Sequence, residues 1–276
     1  MNIKRTVPAM FETLLGVIRP YGKAVVAFSG GVDSTLLAYA AAEALGRENV
    51  LCVTARARTF PLRESEEASV FCGEQGIRHE IIDFNELGVE GFAANPQDRC
   101  YLCKRALFSE FKALAEREGI EAVFDGSNID DTSDYRPGMK AVRELGIVSP
   151  LCEAGLTKAE IRAVLKELGL PAWDKPPLAC LATRVPYGEE ITAEKLAMID
   201  KAEGFLLDKG FRQVRVRIFG DRDFAAVIEV MPDEIERLSI SEIEGIFVTL
   251  GFKKVSADPA GYRTGSLNEG LNNHLL

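Results

Sequence analysis

The feature that most constrains the fold is a glycine-rich stretch between two apolar runs near the N-terminus. Residues 24–28 are typical of a buried strand, and residues 36–42 continue a helix. The turn between them, residues 29–35, has the sequence Ser-Gly-Gly-Val-Asp-Ser-Thr. Such a turn directs backbone N–H groups and a helix N-terminus towards one point, and its glycines allow close backbone approach. The sequence therefore predicts a phosphate-binding loop.

The side chains of this loop narrow the choice of ligand. Asp33 is difficult to explain by packing, because a carboxylate beside bound phosphates needs a metal ion or a protonated partner. The lysine of the G-x-x-x-x-G-K-[ST] loop is absent. The stretch resembles the signature of the PP-loop ATP pyrophosphatases, which split ATP between the α and β phosphates and leave AMP on a substrate. This resemblance implies that ATP and Mg²⁺ bind at Ser29, Gly30, Gly31, Asp33, Ser34 and Thr35.

The first part of the chain alternates short apolar strands with amphipathic helices. We predict strands at residues 24–28, 50–55, 78–84 and 122–125, with a further strand reached within residues 142–151. We predict helices at residues 7–18, 61–75, 103–119 and 157–168. This alternation is typical of an α/β fold with a doubly wound parallel sheet. Because ligands collect at the carboxyl ends of such strands, we also assign Thr54, Ala55, Asp125 and Gly126 to the ATP site.

The pattern changes after Trp173. Residues 174–188 contain three prolines and cannot form a regular helix. Later segments predict a smaller α+β domain, with helices at 191–207, 232–238 and 242–250 and strands at 214–218, 225–230 and from 253. We therefore predict an ATP-binding domain at 1–172, a substrate and sulfur-transfer domain at 173–258 and a loosely ordered tail at 259–276.

Charge and hydropathy limit the partners. The formal net charge of −9 argues against a protein that grips nucleic acid over a broad surface. No apolar run approaches the length of a membrane span, and the N-terminus lacks the apolar core of a secretory signal. We expect a cytoplasmic homo-oligomer that acts on a small-molecule nucleotide, without membrane or nucleic-acid partners.

The cysteines point to sulfur or metal chemistry. Six cysteines in a chain without a secretory signal favour thiols or metal ligands over disulfides. Cys100 and Cys103 form a C-x-x-C pair that suits a redox pair, half a zinc site or part of an iron–sulfur site. Cys180 lies in the proline-rich segment, where a rigid loop would hold its thiol exposed. The other three are interpreted as core or crevice-wall residues, and so are not candidates for catalysis: Cys52, Cys72 and Cys152.

A second resemblance covers nearly the whole chain. Residues 177–184 (Pro-Leu-Ala-Cys-Leu-Ala-Thr-Arg), together with the phosphate loop and Arg215-Val216-Arg217, resemble the ATP-dependent sulfur-inserting enzymes of lactate racemase nickel-pincer cofactor synthesis. The resemblance implies that a carboxylate of pyridinium-3,5-biscarboxylic acid mononucleotide is adenylated and then converted to a thiocarboxylate. Members whose single site cysteine matches Cys180 sacrifice its sulfur and keep dehydroalanine. Others hold a [4Fe-4S] cluster on three cysteines that relays sulfide from a sulfur donor.

The presence of Cys100, Cys103 and Cys180 favours the cluster-dependent route, and the sacrificial route is the alternative. Arg184, Arg215 and Arg217 are predicted to hold the phosphate and spare carboxylate of the substrate, because guanidinium groups match both. Strand alternation places the latter two on one face. Glu203 resembles a family position for general-base or elimination chemistry, so the predicted catalytic residues are Cys180, Glu203 and Arg184.

Other functions stay open on the residues alone. A PP-loop enzyme that thiolates tRNA would use the same chemistry, although the net charge argues against it. An amide-forming synthetase would give the cysteines no role. A nucleotide-sensing module would use the C-x-x-C pair for structural zinc, which would need a further ligand. The two histidines of the chain are interpreted otherwise, His79 as a polar strand residue and His274 as part of the tail.

Overall fold

The computed structural model describes residues 6–132, 137–177 and 179–263. These residues form two compact units. The first contains the described parts of Met1–Ala57, Leu62–Asn85 and Asp98–Leu178, and the second those of Arg58–Pro61, Glu86–Gln97 and Ala179–Leu276. The sequence predicted a single division at residue 173, whereas two short segments from the first half of the sequence belong to the second unit. Leu178, His274 and most of the predicted tail, residues 264–276, lie outside the described residues.

The first unit is an α/β fold around a parallel sheet, as predicted. Its strands have the order β3-β2-β1-β4 and all pair in parallel. The strands are β1 (Ala24–Ala27), β2 (Val50–Arg56), β3 (Arg78–Asp83) and β4 (Ala122–Phe124). The helices are α1 (Val7–Ile18), α2 (Val32–Leu45), α3 (Leu62–Gln75), α4 (Arg99–Arg117), α5 (Pro137–Glu144), α6 (Pro150–Glu153) and α7 (Lys158–Glu167).

Side-chain alternation along the strands gives this sheet two apolar faces. Ala24 and Val26 of β1 belong to the core cluster shared with α1, α2 and α7. Val25 belongs to a separate cluster with Phe108 and Phe111 of α4. Burial on both faces is the expected environment of a parallel sheet, which explains the nearly continuous apolar sequences of β1, β2 and β4, whereas the edge strand β3 is largely polar.

Two local predictions for this unit were wrong. The strand expected within residues 142–151 is reduced to one isolated bridge between Phe124 and Val148, and Cys152, which follows that segment, lies in α6. Pro150 has no N–H to extend a ladder, but it is well suited to the first position of α6. The helix predicted to begin at residue 103 begins at Arg99, so the C-x-x-C pair lies within its first two turns.

The second unit is the smaller α+β fold that the sequence predicted. It contains α8 (Ala193–Asp208), β5 (Val214–Phe219), β6 (Ala225–Val230), α9 (Ile240–Thr249) and β7 (Lys254–Ala257). The strand order is β5-β6-β7, with an antiparallel first pair and a parallel second pair. The predicted helix at 232–238 is a 3₁₀-helix, Pro232–Arg237.

The proline-rich segment contains no α-helix in its described residues, as predicted. A 3₁₀-helix, Leu181–Arg184, forms its central part. In the part of the chain that the structure describes, no helix is long and apolar enough to cross a membrane.

Candidate functional site

The phosphate loop lies at the carboxyl edge of the parallel sheet. β1 ends at Ala27 and α2 begins at Val32, so the intervening residues turn the chain. Gly30 has a φ of +69°, a conformation that favours glycine. Gly31 precedes the helix and has no side chain to cap the N–H groups of its first turn, which leaves them suited to an anion.

Hydroxyl groups hold the loop in shape. The Ser29 N–H donates to Ser34 Oγ at 3.3 Å, and Ser34 Oγ donates to the Gly31 carbonyl at 3.2 Å. Thr54 Oγ1 donates to the Phe28 carbonyl at 2.7 Å and lies 2.8 Å from His79 Nε2. Thr54 therefore supports the residue that leads into the loop.

The end of β4 approaches the start of α2, as the strand-end prediction required. A Cβ atom at Gly126 would lie 3.3 Å from the Ser34 nitrogen and 3.4 Å from Asp33 Cβ. A side chain there would fill the space beside the helix amides. The preceding Asp125 is buried and accepts hydrogen bonds from Ser127 Oγ and Ser149 Oγ, each at 2.5 Å.

The Asp33 carboxylate has two partners on other elements. It forms an ion pair with Lys158 and accepts a hydrogen bond from Asn128 Nδ2 at 3.3 Å. Burial raises the pKa of Asp33 above its ordinary value, and the Lys158 ammonium opposes the rise. An oxygen ligand with a burial-raised pKa has affinity for a further cation, so Asp33 suits Mg²⁺ bound with nucleotide phosphates.

Sequence reasoning missed three lysines in this region. Lys158 pairs with Asp33, Lys175 Nζ donates to the Gly30 carbonyl at 2.9 Å, and Lys104 Nζ lies 3.9 Å from Asp125 Oδ2. The sequence contained one indication that Lys158 has a special role. Lys158 directly follows the N-cap of α7, where the helix dipole disfavours a cation, so a lysine there suggests an anionic partner.

The C-x-x-C cysteines lie within the first two turns of α4. Cys100 is exposed and Cys103 is half-buried, and their spacing places them on neighbouring positions of one helix face. Cys52 and Cys72 are buried in the core, which confirms their prediction as core residues. Among the described residues, no group of three or more His, Cys, Asp or Glu side chains is arranged to hold a metal ion.

In the second unit, Cys180 precedes the 3₁₀-helix Leu181–Arg184 and is half-buried. The Arg184 side chain is 3% exposed and holds the turn from inside: its Nη1 donates to the Ala179 carbonyl at 2.8 Å and the Cys180 carbonyl at 3.1 Å. Its Nε and Nη2 donate to the two oxygens of Glu203, both at 2.8 Å.

Glu203 is buried, and both of its oxygens are hydrogen-bonded. Oε1 also accepts from the Val216 N–H at 2.8 Å. Burial acts to lower the pKa of Arg184, but the charge and hydrogen bonds of Glu203 outweigh it and leave that pKa raised, with a smaller contribution from Cys180. The geometry therefore makes Glu203 the ionic partner of Arg184.

The two arginines of β5 have different surroundings. Arg217 forms an ion pair with Glu229 and donates through Nη1 to the Thr183 carbonyl at 3.1 Å. The Arg215 guanidinium lies 5.3 Å from the centroid of the Tyr262 ring. Burial and then the nearby Arg184 lower the pKa of Arg215 to about 10, which still leaves it charged at neutral pH.

Comparison with known proteins identifies the family. Residues 17–123 match the family model described as NAD synthase. The chain is 41% identical to an uncharacterized protein of Synechocystis sp., with 95% of this chain and 99% of that protein covered. It is 34% identical to the pyridinium-3,5-bisthiocarboxylic acid mononucleotide synthase of Lactiplantibacillus plantarum, with 94% of each covered.

A more distant relative is a subunit of a GMP synthase. The chain is 28% identical to a component of the glutamine-hydrolyzing GMP synthase of Methanococcus maripaludis, with 75% of this chain and 70% of that protein covered. The near full-length similarity at 34% identity, together with the phosphate loop, shows that the chain is an enzyme of the PP-loop ATP pyrophosphatase superfamily and belongs to the family of ATP-dependent adenylating sulfurtransferases of nickel-pincer cofactor synthesis.

Proposed function

We propose that the enzyme adenylates a carboxylate of pyridinium-3,5-biscarboxylic acid mononucleotide and inserts sulfur at that carbon. The relative in Lactiplantibacillus plantarum is named for the bisthiocarboxylic acid mononucleotide product. The observation that carries the proposal is the open start of α2, where Gly126 leaves space beside the Ser34 amide and Asp33 lies next to it. Such a cradle suits a triphosphate rather than a packed side chain.

We assign the first unit to ATP. The loop amides and the hydroxyls of residues 29–35 would bind the β and γ phosphates, and Asp33 would hold Mg²⁺. The metal, when bound, supplies charge neutralisation on the phosphates. The substrate carboxylate oxygen then attacks the α phosphorus, the bond to pyrophosphate breaks, and an acyl adenylate forms.

We assign the second unit to sulfur transfer. A sulfur nucleophile attacks the acyl carbon of the adenylate, a C–S bond forms, and the C–O bond to AMP breaks. Arg184 pairs with Glu203 and Arg217 pairs with Glu229, and we assign these two arginines to holding the turn. We assign Arg215 to the substrate phosphate, because a guanidinium matches phosphate oxygens and this one lies beside the Tyr262 ring.

We further propose that Cys100, Cys103 and Cys180 hold a [4Fe-4S] cluster. The three are half-buried or exposed thiols, and soft thiolates are the usual ligands of iron–sulfur clusters. A cluster with three protein ligands supplies one iron that can carry sulfide. The three cysteines would provide the ligands of the cluster. Arg184 would hold the turn that carries Cys180, through its hydrogen bonds to the Ala179 and Cys180 carbonyls.

The second candidate is the sacrificial route, which the half-buried Cys180 beside Arg184 also supports. Its thiolate would attack the adenylate, releasing AMP and forming a thioester. The Cys180 Cα–H proton would then be removed and the Cβ–S bond would break. The products are the thiocarboxylate and dehydroalanine at position 180.

The deciding experiment combines product analysis with the mass of the protein after turnover. We expect AMP, pyrophosphate and a thiocarboxylated mononucleotide, with roughly four irons per chain after anaerobic purification. Cys100→Ser and Cys103→Ser should lose iron and sulfur transfer, while the matched Cys152→Ser should keep both. Loss of one H₂S at Cys180 would assign the sacrificial route, and sulfur found only in tRNA would overturn the proposed substrate. Light scattering tests the proposed homo-oligomer.

A further inference from the structure

The turn that carries Cys180 is held by segments from the first half of the sequence. Residues 58–61 and 86–97 belong to the second unit, although they follow β2 and β3 of the first unit along the chain. Both hydrogen-bond to residues 181–188, which continue the chain after Cys180. We define these two segments as the clamp.

The clamp fixes one end of the peptide unit that follows Cys180. The Leu181 N–H donates to the Thr59 carbonyl at 2.9 Å. The other end is held inside the turn, because the Cys180 carbonyl accepts from Thr183 Oγ1 at 2.8 Å and from Arg184 Nη1 at 3.1 Å. The peptide unit before Cys180 is held as well, because the Ala179 carbonyl accepts from Arg184 Nη1 at 2.8 Å. With the planar units on both sides held, the direction of the Cys180 Cα–Cβ bond is set relative to the turn.

Thr59 is itself held by a buried carboxylate. Its N–H donates to Glu86 Oε1 at 2.9 Å, and both residues have at most 1% of their surface exposed. Within the described residues, the buried side-chain oxygens that lack a hydrogen-bond partner are Thr59 Oγ1 and Glu86 Oε2. Burying a polar atom without a hydrogen-bond partner lowers the free energy of unfolding, so packing alone would be served better by apolar side chains at these two positions. A carboxylate does, however, give a stronger hydrogen bond to a backbone N–H than a neutral group.

Asn95 holds the far end of the same segment. Its Nδ2 donates to the Val185 carbonyl at 3.2 Å and to the Pro186 carbonyl at 2.6 Å, while the Gly188 N–H donates to the Asn95 carbonyl at 3.0 Å. Asn95 has a φ of +54°, which asparagine tolerates better than most residues. The clamp therefore grips the segment on both sides of Arg184.

We propose that Glu86, acting through Thr59, and Asn95 are positioning residues that hold the Cys180 sulfur in place for the sulfur-transfer step. This inference rests on the proposed function, because it assigns the clamp to the residue that transfers sulfur. Neither residue takes part in adenylation, so the two half-reactions should respond differently to its loss.

The test compares Glu86→Ala, Glu86→Gln and Asn95→Gly with the unsubstituted enzyme. Glutamine keeps an oxygen that can accept from the Thr59 N–H, and glycine keeps the positive φ at position 95 while it removes the side-chain donor. Adenylation is measured as substrate-dependent exchange of labelled pyrophosphate into ATP. Sulfur transfer is measured as thiocarboxylate formed per adenylate consumed.

We expect Glu86→Ala and Asn95→Gly to lower sulfur transfer by about tenfold or more, the effect of losing a hydrogen bond, and to leave exchange within about twofold. Glu86→Gln should restore most of the transfer. In the metal-free protein, iodoacetamide should alkylate the loosened Cys180 about tenfold faster, with the exposed Cys100 as the internal control.

Three outcomes would overturn the proposed positioning role. They are an equal loss of pyrophosphate exchange and sulfur transfer in the variants, an unchanged rate of Cys180 alkylation, and sulfur transfer in Glu86→Gln as low as in Glu86→Ala. If Glu86→Ala fails to fold, Asn95→Gly and Glu86→Gln still decide, since unaltered transfer and alkylation in Asn95→Gly contradict the inference. Absence of exchange in the unsubstituted enzyme would instead reject the proposed function.

Discussion

Removing the Glu203 carboxylate should destabilise the enzyme strongly, because it leaves a buried guanidinium without its ionic partner. The side chains of Arg184 and Glu203 are 3% and 6% exposed and form two parallel hydrogen bonds of 2.8 Å. Breaking such a buried pair from one side costs about 3–5 kcal/mol, since the remaining charge stays out of water. The Val216 N–H also loses its acceptor, which adds about 1 kcal/mol. The expected loss for Glu203→Ala is therefore about 4–6 kcal/mol, a large share of the stability of an ordinary domain.

The assay is urea unfolding followed by far-ultraviolet circular dichroism, with the reduced, metal-free protein. Glu194 provides a matched control, because it is an exposed glutamate on the same helix, α8. Glu194→Ala removes a carboxylate from the first helical turn and should cost less than about 1 kcal/mol. A Glu203→Ala loss no larger than that of the control would refute the assignment of Glu203 as the buried partner of Arg184.

A double-mutant cycle separates the ion pair from simple loss of packing. Replacing both members by apolar residues of similar size, Arg184→Met with Glu203→Leu, removes the stranded charge. The double variant should be more stable than either single variant by at least about 2 kcal/mol. Additive losses in the cycle would show that the two side chains do not act as a pair. If Glu203 served only as a base, its substitution would lower sulfur transfer without this loss of stability.

Three further predictions concern the phosphate loop. Asp33→Asn should abolish substrate-dependent AMP formation. Burial raises the pKa of Asp33 in the folded protein, so the unsubstituted protein should lose stability as the pH rises through that raised pKa. Asp33→Asn should remove this part of the dependence of the melting temperature on pH. Burial lowers the pKa of His79, so the fold should lose stability as the pH falls from the ordinary histidine pKa towards the lowered one, and His79→Gln should remove that part of the acid limb in a thermal scan. Gly126→Ala should weaken ATP binding in isothermal titration while circular dichroism stays unchanged, because the new Cβ would lie 3.3 Å from the Ser34 nitrogen; unaltered affinity would contradict a triphosphate at that position.

Local patterns in the sequence predicted the elements well where one short stretch determines the structure. The apolar spacing of residues 7–18 gives α1 with the same bounds, and the Thr157 hydroxyl and Glu160 carboxylate form a capping box at the start of α7. The strand expected after residue 142 failed because apolar composition alone does not show whether a neighbouring strand pairs over its length. Only Val148 pairs there, and the chain then enters a helix at Pro150.

The site was harder to predict because its partners are far apart in the sequence. The proximity of Gly126 to the start of α2 could be predicted, since strand ends in a parallel sheet meet at one edge. Nothing local links Arg184 to Glu203, so their buried ion pair could not be predicted from the sequence, and the catalytic roles suggested for them stay predictions. The clamp gave no signal at all, because its contacts to residue 181 use backbone atoms that every sequence possesses.

The phosphate loop has no lysine of its own, but lysines from other elements contact it. In the first unit the cations come from other elements: Lys158 begins α7, and Lys175 follows the 3₁₀-helix Pro171–Asp174. Each contacts the loop at a different group, the Asp33 carboxylate and the Gly30 carbonyl. Both ammonium groups are also paired with carboxylates, Lys158 with Asp33 and Lys175 with Glu67. We therefore predict that a phosphate bound at residues 29–35 would use the amides of the loop and of α2, and would compete with these two carboxylates for the lysines.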